Sequence, residues 1–310
     1  MTTDSRFLSL PHSFAARDDL PGESHSSLED DYREIRHGAA ALALSWLDAI
    51  SMTGSERTEW LQGMVTADLS GMKPGDWRHA CALDVKGKTL AQLLVGERGD
   101  SFLLVGDRVR LHALRGHFDR YIIADDVEVH NTDNLPLTGL MGPGAEALLA
   151  DTRVPLPLLP QPAWLVLDGA PEGASPVSFD AVNVARIEDG IPWDGIEVLG
   201  DRMPLETGLA GTISTEKGCY LGQETIIRVL HRGHVNRGLV GLVCEGSALP
   251  QPGADLTDDQ GKSVGTVTSS AHSIKLGTPA ALAIVRTTAG EPGTVLWAGD
   301  LSAEVRRLTY

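Results

Sequence analysis

The sequence is short of cysteine, of long apolar runs and of basic residues, and each shortage removes a class of protein. Three cysteines in 310 residues, Cys81, Cys219 and Cys244, are odd in number and far apart. Neither a disulfide framework nor a CxxC metal or redox site is encoded, and a reducing compartment suits the chain. No run of ~18 apolar residues is present to span a bilayer. The N-terminal stretch has neither an apolar signal core nor an Arg-rich, acid-poor transit composition. A soluble, cytoplasmic protein is therefore expected. With 26 Lys and Arg against 42 Asp and Glu, the formal charge is −16. That balance excludes general attraction to nucleic acid or anionic membrane, because binding phosphate draws on cations that are outnumbered here.

The length allows about two domains of ~150 residues, or three small ones. Residues 1–30 are rich in Ser, Asp, Glu, Gly and Pro without periodicity and read as a mobile acidic arm. The run "AALALSWLDAISMTG" reads as strand up to Gly54. Ser55 then stands as an N-cap before a helix over "ERTEWLQGMVTADL", in which Trp60, Leu61, Met64 and Val65 share helical spacing. The runs "HACALDV" and "TLAQLLVGE" are joined by "KGK" as a hairpin turning at Gly87. Strand "SFLLVG", helix "DRVRLHALRGHFDRY" and strand "YIIADDVEVH" follow. A second unit begins near Leu137 with strand "LTGLMG", helix "AEALLAD", strand "AWLVLDG" and helix "FDAVNVARIEDG", the last stopping at Gly190. From about residue 236 short apolar runs alternate with Gly, Pro and Asp turns, the cadence of a small all-β barrel or sandwich. The expected fold class is α+β: residues 31–235 as two α+β subdomains divided near 137, and 236–310 as a C-terminal β-barrel.

Chemistry concentrates in "TEKGCYLGQETIIRVLHRGH", Thr215 to His234. Tyr220 to Leu230 reads as an amphipathic helix, with Glu224 four residues before Arg228 as an ion pair. Cys219 then falls at or just before the helix N-terminus, beside Lys217, and both influences favour thiolate over thiol. Local chemistry leaves two readings open: a reactive thiol, or a small residue packed in a turn. Direct pairing with His231 or His234 is disfavoured, since they lie about three helical turns on. A metal site from Cys219, His231 and His234 lacks the close ligand spacing of zinc sites, and no metal is expected. The glycines of "GMVTADLSG", "GPGAEALLA" and "GTISTEKG" supply no GxxxxGK[ST] phosphate loop.

"KGCYLGQE", Lys217 to Glu224, resembles the KGCYxGQE signature of the YgfZ-type folate-binding proteins, relatives of the glycine-cleavage T-protein (aminomethyltransferase). "GSERTEWLQGMVTADL", "ALDVKGKTLAQLLV", "RIEDGIP" and "VGTVTSS…PAALAIVR" resemble further segments of that superfamily, leaving only the first thirty or so residues outside. The resemblance implies three small domains arranged as a ring around a tetrahydrofolate, whose pterin is read by an acidic side chain. The pterin's amino and ring N–H groups form a row of donors suited to a carboxylate. Glu188 matches the Glu implied for that contact; Leu61, Gln62, Thr66, Asp68, Tyr220, Gln223 and Arg237 are further candidates around the cofactor. Cys219 and Lys217 are the candidate reactive pair.

One departure bears on activity. T-proteins carry an Asp pair in the central hairpin whose first member positions the folate amine, and the matching positions here are Ala91 and Gln92. An accessory factor is therefore expected in preference to an aminomethyltransferase. The YgfZ branch is implicated in assembling or maintaining iron–sulfur clusters, and thereby in tRNA modification. The expected partners are folate and iron–sulfur client enzymes or cluster carriers, with the chain a monomer. The rivals are a folate-dependent one-carbon transferase and a folate-sensing adaptor without chemistry.

Overall fold

The computed structural model describes residues 8–21, 26–132, 135–149 and 153–308. From the N-terminus these form β1 (Leu8–Ser9), α1 (His12–Ala15), α2 (Leu28–His37), β2 (Ala40–Ala43), β3 (Leu47–Thr53) and α3 (Arg57–Gln62). The hairpin β4 (Trp77–Leu83) and β5 (Thr89–Glu97) leads to β6 (Phe102–Asp107), α4 (Arg108–Phe118) and β7 (Glu128–Asn131). Next come β8 (Thr138–Met141), β9 (Val154–Pro155), β10 (Ala163–Val166), β11 (Ser175–Pro176), α5 (Phe179–Asp189) and α6 (Gln223–Arg232). The C-terminal strands are β12 (Arg237–Cys244), β13 (Asp255–Thr257), β14 (Ser263–His272), β15 (Pro279–Arg286), β16 (Val295–Ala298) and β17 (Leu301–Arg306).

Three sheets result. One runs β4-β5-β6-β3-β7, a second β11-β2-β8-β10-β9, and a third β1-β14-β13-β16-β17-β12-β15. Pairing of β14 with β15 closes six strands of the third into a barrel with no open edge, and β1 adds to its outside. The class is α+β with a C-terminal barrel. One face of the first sheet packs under α3 and α4 through Leu61, Val65, Leu111, Leu114 and Phe118. Its other face joins the second sheet, α5 and barrel residues Ala271, Ala280 and Leu282 in one continuous core. Among the described residues no helix is long and apolar enough to cross a membrane.

Helix α5 forms where its caps dictate. The Ser178 side chain accepts from the Ala181 N–H, and Gly190 at φ 85° takes the left-handed position that ends the helix. Three expectations are corrected. The run Ala40–Thr53 is two strands in two different sheets, β2 and β3, separated at Leu44–Trp46. The helix expected to continue to Leu69 stops at Gln62, and Ser55 bonds Asp126 where an N-cap was expected. The mobile arm expected over residues 1–30 is, in its described part, packed: β1 pairs with β14, and Phe14 is buried against Phe179 and Trp193. Two apolar side chains inserted into the core outweigh the polar composition around them. Residues 1–7 and 22–25 lie outside the described residues.

Candidate functional site

The signature segment lies over the irregular stretch after α3. The Lys217 ammonium donates to three backbone carbonyls, Gln62 O at 2.6 Å, Val65 O at 2.8 Å and Ala67 O at 2.7 Å. Burial pulls its pKa down to about 8, with Asp68 acting in the opposite direction. Thr66 is fully buried; its hydroxyl donates to Thr212 O and accepts from the Cys81 N–H. The Gln62 amide donates to Asp68 and accepts from the Leu69 N–H. The Ser70 hydroxyl and N–H and the Gln62 amide hold the Asp68 carboxyl down at about 2. Leu61 is in the apolar core with no exposure. Tyr220 is buried with its ring 5.2 Å from the Lys217 ammonium, and its N–H donates to the Gln223 side chain.

Gly222 sits at φ 81°, and a Cβ there would lie 2.4 Å from Asp84 O. Only glycine lets this turn pack against the β4–β5 hairpin tip. Leu61, Gln62, Thr66, Asp68, Lys217, Tyr220 and Gln223 are thus brought together, as one bonded block beneath a loop. Arg237 is not in it; it opens β12 with an exposed side chain.

Cys219 tops this block as an exposed free thiol. Helix α6 begins at Gln223 with Gly222 as its N-cap, later than expected, so Cys219 precedes the helix and lies outside its first turn. The Lys217 ammonium is taken by backbone carbonyls and anchors the loop. The exposed Glu224–Arg228 pair forms at 2.5 Å.

A second polar centre lies between the first two sheets. In register, β3 and β6 pair Leu47 with Asp107 and Ser51 with Leu103. A small, partly open cavity of about 20 Å³ sits over the Leu47–Asp107 pair, walled by Trp46, Trp193, Gln92 and Asp194. That is space for about one water molecule. An open cleft of about 820 Å³ sits over the Ser51–Leu103 pair, with Arg98, Asp100, Ser101 and Asp168 at its polar side. The two voids share one sheet face and lie ~13 Å apart by strand rise.

In β5, Ala91 belongs to the core under α3 and α4, while the next residue, Gln92, lines the cavity. Of the two positions matched to the transferase Asp pair it is therefore the second that meets the cavity. The Gln92 amide is fixed by His79 Nε2 at 3.3 Å and Pro192 O at 3.4 Å. Burial keeps His79 down at about 4, hence neutral and able to donate.

A carboxyl is nonetheless present, supplied from elsewhere. Asp194 is 8 % exposed; its Oδ2 accepts from the Gln92 N–H at 3.0 Å, and its Oδ1 has no hydrogen-bond partner. Burial raises its pKa to about 8, with Asp107 adding to the rise. Asp107 is bonded instead by Arg17 and by the Arg110 N–H. Arg17 also reaches Trp46 O, so the N-terminal segment bonds two of the lining residues. Sequence reading missed Asp194 and the two indoles; the only signal was an acid in the short apolar "IPWDG" after α5.

Glu188, expected at the cofactor, is fully engaged by protein. Its Oε2 accepts from Tyr32 at 2.5 Å and Arg36 at 2.9 Å, and its Oε1 from the Ser273 hydroxyl at 2.6 Å and the Lys275 N–H at 3.0 Å. It clamps α2, α5 and the barrel together. Among the described residues, no group of three or more His, Cys, Asp or Glu is placed to hold a metal ion.

Two sheets with a polar cavity between them, a six-stranded barrel and an exposed thiol on a braced loop define an α+β protein of the T-protein architecture. The GCVT N-terminal domain model matches residues 3–155, and the glycine cleavage T-protein C-terminal barrel domain model matches residues 237–302. The chain belongs to the glycine cleavage T-protein superfamily. The first match begins at residue 3, so the N-terminal segment lies inside the family and not outside it as expected. The tRNA-modifying protein YgfZ of Cronobacter sakazakii is 27 % identical, over 68 % of this chain and 73 % of that one. The aminomethyltransferase of Bacillus subtilis is 24 % identical over 87 % and 86 %. The crystal structure of the glycine cleavage system aminomethyltransferase T from Bartonella henselae superposes with a TM-score of 0.78, at 22 % identity, covering 93 % of this chain and 91 % of that one.

Proposed function

We propose that the chain is a cytoplasmic, monomeric tetrahydrofolate-binding protein that supports assembly or repair of iron–sulfur clusters in client enzymes, and through one of them tRNA modification. Cys219 is its reacting thiol. The observation that carries this reading is the division of labour in the signature segment. Lys217, Tyr220, Gly222 and Gln223 all hold the loop, and Cys219 is left exposed at its top beside Gly218. A thiol on a braced surface loop reaches a group carried by another protein, such as a client's cluster or a carrier sulfur, which a thiol buried like Cys81 does not.

The interlayer gap suits a reduced folate. The small cavity is lined by two indoles and by a buried carboxyl oxygen without a partner, which once ionised is the complement of a flat ring bearing N–H donors. The separate cleft beside Arg98, on the same sheet face, has room for the remainder of the molecule. At about 20 Å³ the small cavity admits the ring only when a wall moves. Bound folate would supply a one-carbon group or fix the conformation of the chain.

The test is replacement of Cys219 by Ala, followed by measurement of a [4Fe–4S] client's activity in cells lacking the wild-type protein. Loss of client activity supports the reading, and full rescue removes the thiol from the mechanism. One observation favours the second reading, a folate-dependent one-carbon transferase: Asp194 gives the cavity the carboxyl that Ala91 and Gln92 lack. Turnover of methylene-tetrahydrofolate with an amine acceptor by the purified Cys219→Ala protein would select that reading.

A further inference from the structure

We infer that Asp194, not Glu188, is the acid that reads the donor face of a bound pterin-class ring, and that ring binding expels a proton from the cavity. The inference rests on the folate reading above and assigns its recognition residue.

An acid that reads a ligand needs an oxygen free to accept, a fixed orientation and exclusion of competing water. Glu188 lacks the first, since four protein donors from α2 and the barrel occupy its two oxygens. Drawing it toward a ligand would unpair Arg36, Tyr32, Ser273 and Lys275 together, at a cost no single ring contact repays. Asp194 meets all three conditions. Its Oδ2 is pinned by the Gln92 N–H, its buried Oδ1 is unpartnered, and the residue lines the small cavity together with Trp46 and Trp193. A buried acceptor left unpaired costs stability unless something arrives to pair it.

The charged and titratable groups around Asp194 are Asp107 at the start of α4, Arg110 on α4 and Arg17 on the N-terminal segment. His79 stands behind Gln92 and is neutral. Asp107 is held by Arg17, and burial keeps the proton on Asp194 near neutrality. A ring presenting N–H donors favours the carboxylate over the carboxyl. On binding, the Asp194 O–H bond breaks, the proton passes to buffer, and the freed oxygens accept from the ring's amino and N–H groups. The same geometry disfavours a ring that presents acceptors there.

Calorimetric titration of tetrahydrofolate in two buffers of different ionisation enthalpy tests this on the full chain. Near pH 7 the wild type is expected to release close to one proton per ligand, and its affinity to rise about tenfold from pH 6 to pH 7. Asp194→Asn is expected to abolish the proton release and weaken binding tenfold or more, with its melting curve reporting whether it folds. Glu188→Gln is expected to bind and release the proton like wild type while melting at a lower temperature. Wild-type proton release from Asp194→Asn, or its loss from Glu188→Gln alone, overturns the assignment. Should Asp194→Asn fail to fold, the wild type and Glu188→Gln still decide it through the proton count. A wild type that binds no tetrahydrofolate overturns the folate reading, and the assignment with it.

Discussion

The loop that carries Cys219 and the cavity that holds Asp194 treat polar atoms in opposite ways. Under the loop, Lys217, Gln62, Thr66 and Asp68 form a closed network in which each polar side chain has partners. In the cavity, Gln92 and Asp107 are fully bonded, yet Asp194 keeps one oxygen without a partner. The first arrangement braces a position, whereas the second leaves an acceptor for something that is not protein. The loop presents a thiol at the surface, with the buried Tyr220 hydroxyl also left without a partner, and the cavity presents a carboxyl oxygen inside. The difference teaches which residues of a long signature are scaffold and which are chemistry.

The contrast breaks most severely where bonded charge is removed. Arg186 and Glu197 pair at 3.1 Å with no exposure, and Glu197 also accepts from the Trp193 N–H, Thr268 and Ser269. Arg186→Met strands that carboxylate and is expected to cost about 4 kcal/mol in urea unfolding. Lys217→Met leaves three buried carbonyls without their donor and is expected to cost about 3 kcal/mol by the same measurement.

Asp194→Asn sharpens the comparison from the other side. The carboxyl titrates at 3.8 as a free side chain and at about 8 in the fold. The stability it contributes is fully present below pH ~4 and is lost as pH rises toward about 8, because the native state holds the extra proton across that window. The variant removes the dependence. Its melting temperature should match wild type near pH 4 and exceed it increasingly up to pH 8. Cys219→Ala is expected to do least, within about 0.5 kcal/mol of wild type, because the thiol is exposed and unbonded.

Much of this was legible where local signals agree with the fold. Ser178 and Gly190 bracket α5 in sequence as in space, and Gly87 marks the β4–β5 turn. The segment after α3 was misread for a long-range reason. Trp60, Leu61, Met64 and Val65 have helical spacing, but the Lys217 ammonium captures the carbonyls of Gln62, Val65 and Ala67 from far along the chain. The N-terminal segment was misread because two inserted side chains, Leu8 and Phe14, decide its packing while its composition is polar. Cys219 stood out as a residue type in an unusual setting, but the anchoring of Lys217 on three distant carbonyls needed coordinates. Asp194 could not be singled out, since nothing local to "IPWDG" tells which of its oxygens goes unpaired.

If the two regions do separate jobs, thiol presentation and ring recognition, they are separable by one measurement. Tetrahydrofolate is titrated calorimetrically into Cys219→Ala beside wild type. The affinity and proton release of wild type are predicted to persist in the variant; a loss of tenfold or more in affinity would place Cys219 in the folate site and contradict the division.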